Sequence, residues 1–328
     1  MTRHFLDIED ISVDELANLL ALAEQPTLAR VLSGHGVAMI FEKPSARTRN
    51  STEMAVFSLG GHAVYIQGHE VGLDVRESAE DVARTLACYH RVLCARVIAH
   101  DSLHRMVGAL DAGGVDVPVV NLLSDWAHPC QALADLLTLR ESLAPDSAGP
   151  AVLGGRSIAY VGDANNMCRS LVKAAMAVGM DVRVASPKGF SFSEEELAVL
   201  AWLGRDEHWT GTLHTTDEPY EAVDGADALY TDVWTSMGQE EEEVLRRKAF
   251  RGFTVDEKLL AAAAPTAVVL HCLPAHRGEE ISAGVVDGPQ SVVWRQAAHR
   301  MTAMRGLFAW LLGAGNTGPV SARGSAAR

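Results

Sequence analysis

The stretch Phe41-Glu42-Lys43-Pro44-Ser45-Ala46-Arg47-Thr48-Arg49 decides the reading of the fold. Before it, Val37-Ala38-Met39-Ile40-Phe41 is a short apolar run of strand type. After it, Met54, Val56, Phe57 and Leu59 supply apolar residues for a helix that ends near Gly60-Gly61. The stretch is therefore the turn from a strand into a helix, with Ser45 at the N-cap and Arg47 and Arg49 in the first turn. A helix N-terminus exposes unpaired N–H groups and positive dipole charge. Cations there disfavour the helix itself, and make sense if an external anion, most simply a phosphate, is held. The alternative is an ordinary helix start whose arginines pair with surface carboxylates.

Upstream, Ser12-Val13-Asp14-Glu15 is a capping box. It opens a helix with Leu16, Leu19, Leu20 and Ala23 on one face, stopped before Pro26. Downstream, residues 63–66, 92–98 (carrying Arg96) and 117–122 read as strands, and 80–89 as a helix. Residues 67–78, polar and Gly-containing, read as a loop. His128-Pro129-Cys130-Gln131 opens the next helix with Pro129 at N1. His128 and Gln131 share a face there, and an ordinary N-cap is the other reading of His128.

Residues 141–155 are rich in Ala, Pro, Ser and Gly without periodicity, which places a domain boundary there. A second alternation begins at Ser157-Ile158-Ala159-Tyr160-Val161, turns through Gly162-Asp163-Ala164-Asn165-Asn166 and continues into a helix. That turn lacks G-x-G-x-x-G, so a dinucleotide is not expected. Strands at 228–231 and 268–270 lead to Asp232 and, through His271, to Cys272. Asn166, Asp232 and Cys272 thus lie just beyond the carboxyl ends of strands, where open α/β sheets bind ligands. Singly, each has a plainer reading: a turn former, a helix cap, a small buried hydrophobe. The run 240–243 reads as a solvated helix start, and 294–312 as a long helix with Met301, Met304, Phe308 and Leu311 on one stripe. The expected fold is α/β, with two domains, each a central parallel sheet flanked by helices, and the active site in the cleft between them. The domains are 1–140, with helix 294–312 packing back on it, and 141–293; 313–328 is a disordered tail.

The 328 residues, 48% hydrophobic, are enough for two cores. A net charge of −14 argues against nucleic acid or an anionic membrane as partner, so an anionic substrate needs a local basic site. Five cysteines without a CxxC pattern point to a reduced, cytoplasmic compartment. The N-terminus carries acids too early for a targeting peptide, and no stretch approaches a membrane span.

Four motifs in register, Ser45-Ala-Arg-Thr-Arg, His128-Pro-Cys-Gln, Asp232-x-x-x-Ser236-Met237-Gly238 and His271-Cys-Leu-Pro, resemble the aspartate/ornithine carbamoyltransferase family. The resemblance runs from about Arg3 to about Leu312 and is closest to the branch that accepts ornithine, because of Ser236-Met237-Gly238. It implies a carbamoyl phosphate-binding first domain, an ornithine-binding second domain, a homotrimer, a place in arginine biosynthesis or, run in reverse, in citrulline degradation, and no metal or organic cofactor. It also implies that Ser45, Ala46 (by its backbone N–H), Arg47, Thr48 and Arg96 hold the phosphate. His128, Gln131 and Arg300 contact the carbamoyl group. Asn166, Asp232, Ser236 and Met237 hold ornithine, and Cys272 and Leu273 line the meeting point. Catalysis falls to Cys272, Asp232, Arg96 and His128, with Asp232 or a Cys272 thiolate accepting or orienting the proton that the attacking amine must lose. Three places depart from the family pattern: Ala46 where Thr is usual, Gly72 where a Gln is often found, and Trp126-Ala127 where Glu-Phe often precedes the histidine. The rival readings are an ornithine analogue as acceptor, and a non-catalytic paralogue. Ala46 speaks for the second, and Arg47, Arg96, His128, Asp232 and Cys272 against it.

Overall fold

The computed structural model describes residues 2–314 except 148, 206–208 and 236–239. Strand β1 (Gly36–Phe41) is enclosed along all its length beyond Gly36. That burial on both faces explains why it reads as a continuous apolar run rather than an alternating one. It pairs in parallel with β2 (His62–Gln67) and β3 (His90–Arg96), and β3 pairs with β4 (Val119–Leu123), giving the order β2-β1-β3-β4. Parallel strands need crossover connections. Here they are supplied or flanked by α1 (Val13–Glu24), α2 (Ala46–Ser58), α3 (Gly68–Val71), α4 (Ala79–Ala87), α5 (Asp101–Ala112) and α6 (Pro129–Leu143).

A second parallel sheet follows, of β5 (Ser157–Val161), β6 (Asp181–Ala185), β7 (Thr212–Thr216), β8 (Ala228–Thr231) and β9 (Val268–His271), in the order β7-β6-β5-β8-β9. Its helices are α7 (Asn166–Ala177), α8 (Glu194–Leu203), α9 (Pro219–Val223), α10 (Glu243–Ala249), α11 (Glu257–Leu260) and α12 (Ala283–Val286). The last helix, α13 (Val293–Leu311), packs against α1, α2 and α6. One apolar cluster runs through both halves, joining Leu19, Val37, Leu133, Leu171, Tyr160 and Phe308. Across the same seam the buried Lys173 ammonium on α7 meets the Asp7 carboxylate at 2.6 Å.

Local differences from the sequence reading have physical causes. Strand β7 and helix α5 were not anticipated; β7 is a Thr-rich edge strand with an exposed surface and no apolar run to announce it. The segment expected as a loop contains α3, opened by the Gln67 N–H donating to Glu70 Oε2 at 3.2 Å and ended by Gly72 at φ 62°. On α2, Val56 and Leu59 are buried, but Met54 and Phe57 face outward.

Gly306 marks where α13 crosses α1. A Cβ there would lie 2.7 Å from the Ala23 Cα and 2.8 Å from its N. Gly306→Ala therefore sets two terms against each other. Helix propensity favours Ala by about 0.5–1 kcal/mol, while overpacking against backbone costs about 1–3 kcal/mol. The expected net result is a lower Tm in thermal denaturation, and an unchanged or raised Tm would show that the two helices part freely.

Candidate active site

The carboxyl ends of β1, β3 and β4 and those of β5, β8 and β9 open on one cleft of about 1400 Å³. Open parallel sheets leave their ligand crevice at this end, where the strand order reverses. Ser45, Ala46, Arg47, Thr48, Arg96, His128, Asn166, Asp232, Cys272, Leu273 and Arg300 all line it. Ser236 and Met237 lie outside the described residues. Gln131 is set behind this wall; with Arg47, Cys272, Leu273 and Arg300 it lines an adjoining cavity of about 350 Å³.

The first wall is cationic. Ser45 is the N-cap of α2, its Oγ accepting from the Thr48 N–H at 3.4 Å and donating to Thr48 Oγ1 at 3.1 Å. The two arginines of this turn differ. Arg49 pairs with Glu53 at 2.8 Å and stacks over Tyr65, as an ordinary surface arginine does. Arg47 has no carboxylate partner among the described residues and points into the cleft. Arg300, on α13, is buried; it donates to Thr48 Oγ1 at 3.0 Å and to Gln131 Oε1. Arg96, at the end of β3, is pushed down to about 10 by burial and by the Arg300 and Arg47 charges. It stays charged at neutrality, but three guanidinium groups are held close without a counter-charge among them, and an anion would relieve that repulsion.

His128 sits at the N-cap position of α6 without a side-chain capping bond, so ordinary capping does not explain it. Burial first, then Arg300, Arg96 and Arg47, hold its pKa well below the usual 6.5. The imidazole is therefore neutral at working pH and presents an N–H rather than a charge. Its loop is fastened to α7. The His128 N–H donates to Ser170 Oγ at 2.8 Å, and Asn166 Nδ2 donates to the Ser124 carbonyl at 2.6 Å. Arg169 lies 4.1 Å over the Trp126 ring and bonds its carbonyl. That stacking gives Trp126 a local reason, just as left-handed backbone gives one to Gly72, where a Cβ would also meet the Arg76 Cβ at 2.7 Å. Ala46, exposed at the first residue of α2, has no such reason in this structure.

The opposite wall carries the Cys272 thiol, which donates to Asp232 Oδ1 at 2.9 Å. Burial and the Asp232 carboxylate push the thiol well above its usual range. Cys272 is thus a thiol at neutral pH, and the carboxylate is the proton acceptor of the pair. Leu273, next to it, is a non-glycine residue at φ 60°, a strained conformation of the kind concentrated at functional sites. Asp232, His271 and Cys272 bring potential metal-ligand atoms within 4.8 Å of one another. His271, however, has both ring nitrogens engaged, Nδ1 by the Leu273 N–H at 2.8 Å and Nε2 by Glu280 at 3.1 Å.

Sequence reasoning missed Asp163 and Arg246, which line the second-sheet side of the cleft and pair at 2.6 Å. Asp163 lay in the quoted Gly162–Asn166 turn, so its place beyond β5 was a usable signal; Arg246, in a run of exposed charges, gave none.

The family profile described as aspartate/ornithine carbamoyltransferase, carbamoyl-P binding domain, matches residues 3–141, and that of the Asp/Orn binding domain matches residues 154–311. The chain belongs to the aspartate/ornithine carbamoyltransferase family. It is 47% identical to the ornithine carbamoyltransferase of Acidothermus cellulolyticus over 96% of this chain and 98% of that protein. Among solved structures, the ornithine carbamoyltransferase of Pyrococcus furiosus superposes with a TM-score of 0.87 at 39% identity, covering 95% of this chain and 97% of that one. That of Thermus thermophilus superposes with a TM-score of 0.81 at 40% identity, covering 95% and 99%. No helix among the described residues is long and apolar enough to cross a membrane.

Burial first, and then the arginine charges, set the titration of His128. The native state resists a proton that the unfolded chain accepts below 6.5, so this residue costs stability as pH falls through that value. NMR of the His128 ring is expected to show a neutral imidazole at pH 6.5, with added inorganic phosphate raising its pKa by screening the arginines. Half-protonation at pH 6.5 in the free protein would overturn this electrostatic account.

Proposed function

We propose that this transferase moves the carbamoyl group of carbamoyl phosphate to the side-chain amine of ornithine, giving citrulline and phosphate. One observation carries the reading: a wall of Arg47, Arg96 and Arg300, none in a direct carboxylate ion pair among the described residues, faces the Asp232–Cys272 pair across a single cleft. Phosphate binds at the α2 N-terminus, between the N–H groups that follow Ser45 and the guanidinium of Arg47. The ornithine ammonium cannot attack, so it must first lose a proton. The Asp232 carboxylate takes or relays it, and the Cys272 thiol fixes that carboxylate by donating to it. As the amine adds to the carbonyl carbon, charge builds on oxygen. Arg96, the neutral N–H of His128, Arg300 and the Thr48 hydroxyl stabilise it, and removal of one such donor typically costs about 2.7–4 kcal/mol of barrier. The intermediate collapses by expelling phosphate toward Arg47. Asn166, with Ser236 and Met237, orients the acceptor.

The division of labour follows the two sheets: residues 1–140 with α13 for carbamoyl phosphate, 141–293 for ornithine. We further propose a cytoplasmic homotrimer serving arginine biosynthesis. The outward-facing Met54 and Phe57 of α2, 48% and 71% exposed, offer apolar surface for such an assembly, and light scattering tests it.

Citrulline formation from carbamoyl phosphate, with ornithine, acetylornithine, putrescine and aspartate compared as acceptors, tests the activity and its selectivity. Ornithine is expected to be strongly preferred, and preference for another acceptor would reassign the enzyme within the family. In the same assay Arg47→Ala is expected to lower kcat/KM for carbamoyl phosphate about hundredfold or more, as loss of a charge-assisted contact to the reacting group does. A wild-type value would remove Arg47 from the phosphate site. Ala46→Thr, at an exposed position with room for a hydroxyl, is expected to lower KM for carbamoyl phosphate several-fold and leave that for ornithine unchanged. A flat or raised KM would mean that the site is complete without that hydroxyl.

A further inference from the structure

Asp135 touches nothing in the cleft, yet both walls lead back to it. It lies on α6 one turn beyond Gln131, while Gln296 lies on α13 one turn before Arg300. The Asp135 side chain is wholly buried, and its Oδ1 accepts from Gln131 Nε2 at 2.8 Å and from Gln296 Nε2 at 2.7 Å. A carboxamide has a donor end and an acceptor end. With the two nitrogens tied to one carboxylate, both oxygens must face away from it. Gln131 Oε1 then accepts from Arg300, whose other nitrogen donates to Thr48. Gln296 Oε1 accepts from the backbone N–H of His271 at 2.9 Å, immediately before Cys272. Either amide turned over would set NH₂ against a guanidinium or against a backbone N–H.

We infer that Asp135 is a positioning residue for carbamoyl transfer, which fixes the orientation of Gln131 and Gln296 and through them aims Arg300 on one wall and Cys272 on the other. The inference rests on the reaction proposed above. Burial pushes the Asp135 carboxyl up to about 7, against the opposing pull of Gln131, Gln296 and Arg300. An ionised group in such a place works against folding, so stability alone does not account for it. The other titratable groups that feel it are Tyr230, whose hydroxyl accepts from Gln296 at 3.1 Å, and the Cys272 thiol.

The test separates the acceptor atom from the charge. Asp135→Asn keeps an oxygen where both amides need one and is expected to retain kcat within about threefold of wild type, since the geometry is unchanged. Asp135→Ala removes the acceptor. It is expected to lower kcat about tenfold or more and raise KM for carbamoyl phosphate, with KM for ornithine within about twofold, each variant assayed where circular dichroism shows it folded. Gln296→Met cuts the arm to His271, with its contact to Tyr230, leaves the Gln131 arm in place, and is expected to lower kcat without changing KM for carbamoyl phosphate. Wild-type kcat in Asp135→Ala, or an Asp135→Asn as impaired as Asp135→Ala, overturns the orienting role. Wild-type enzyme that forms no citrulline overturns the proposed reaction instead.

Discussion

A guanidinium taken out of water must find partners, or its burial costs several kcal/mol. Arg300 is such a group, and its partners come from two other helices: Thr48 on α2 and Gln131 on α6. The last helix of the chain, the helix after the first strand and the helix that opens at His128 are thereby locked in mutual register. After burial itself, the cation so fixed is the strongest influence lowering Arg96 and His128. One buried charge therefore both ties three helices of the first half together and adds to the positive field of the cleft.

The sheet architecture was legible because buried parallel strands announce themselves as apolar runs, and β1, β5, β8 and β9 are such runs. The edge strand β7 was not, since its Thr-rich surface has no apolar face to bury. Much of the site was legible too, because residues that follow a strand into a turn or helix fall at the ligand end of the sheet. Ser45, Arg47, Asn166, Asp232 and Cys272 were read in that way, while the role of His128 came from the family resemblance. What sequence could not show was depth. Gln131 shares a helix face with His128 near the start of α6, yet only His128 lines the main cleft. Whether a polar side chain lines a cavity or props up its neighbour depends on what packs behind it, and for Gln131 that is Asp135 and α13, far away in the chain.

The arginines of the opening motif make the same point. Arg47 and Arg49 are two residues apart in one helical turn and cannot face the same way. Of the two alternatives posed for the stretch, surface ion pairing holds for Arg49, while Arg47 lines the cleft. A motif is thus not a unit of function, and its residues divide according to the side of the helix on which they emerge.

The packing of α13 on α1, α2 and α6 has a consequence for synthesis. Some 150 residues separate the end of α6 from the start of α13. A ribosome adding about 5–20 residues per second takes about 8–30 s to make them. During that interval the first half has emerged but lacks the helix that covers its core and supplies Arg300. It must wait, incompletely covered, while the second sheet forms. The nascent chain is thus exposed to misassociation for longest in the half that appears first, and the cleft lacks Arg300 until the final helix has docked.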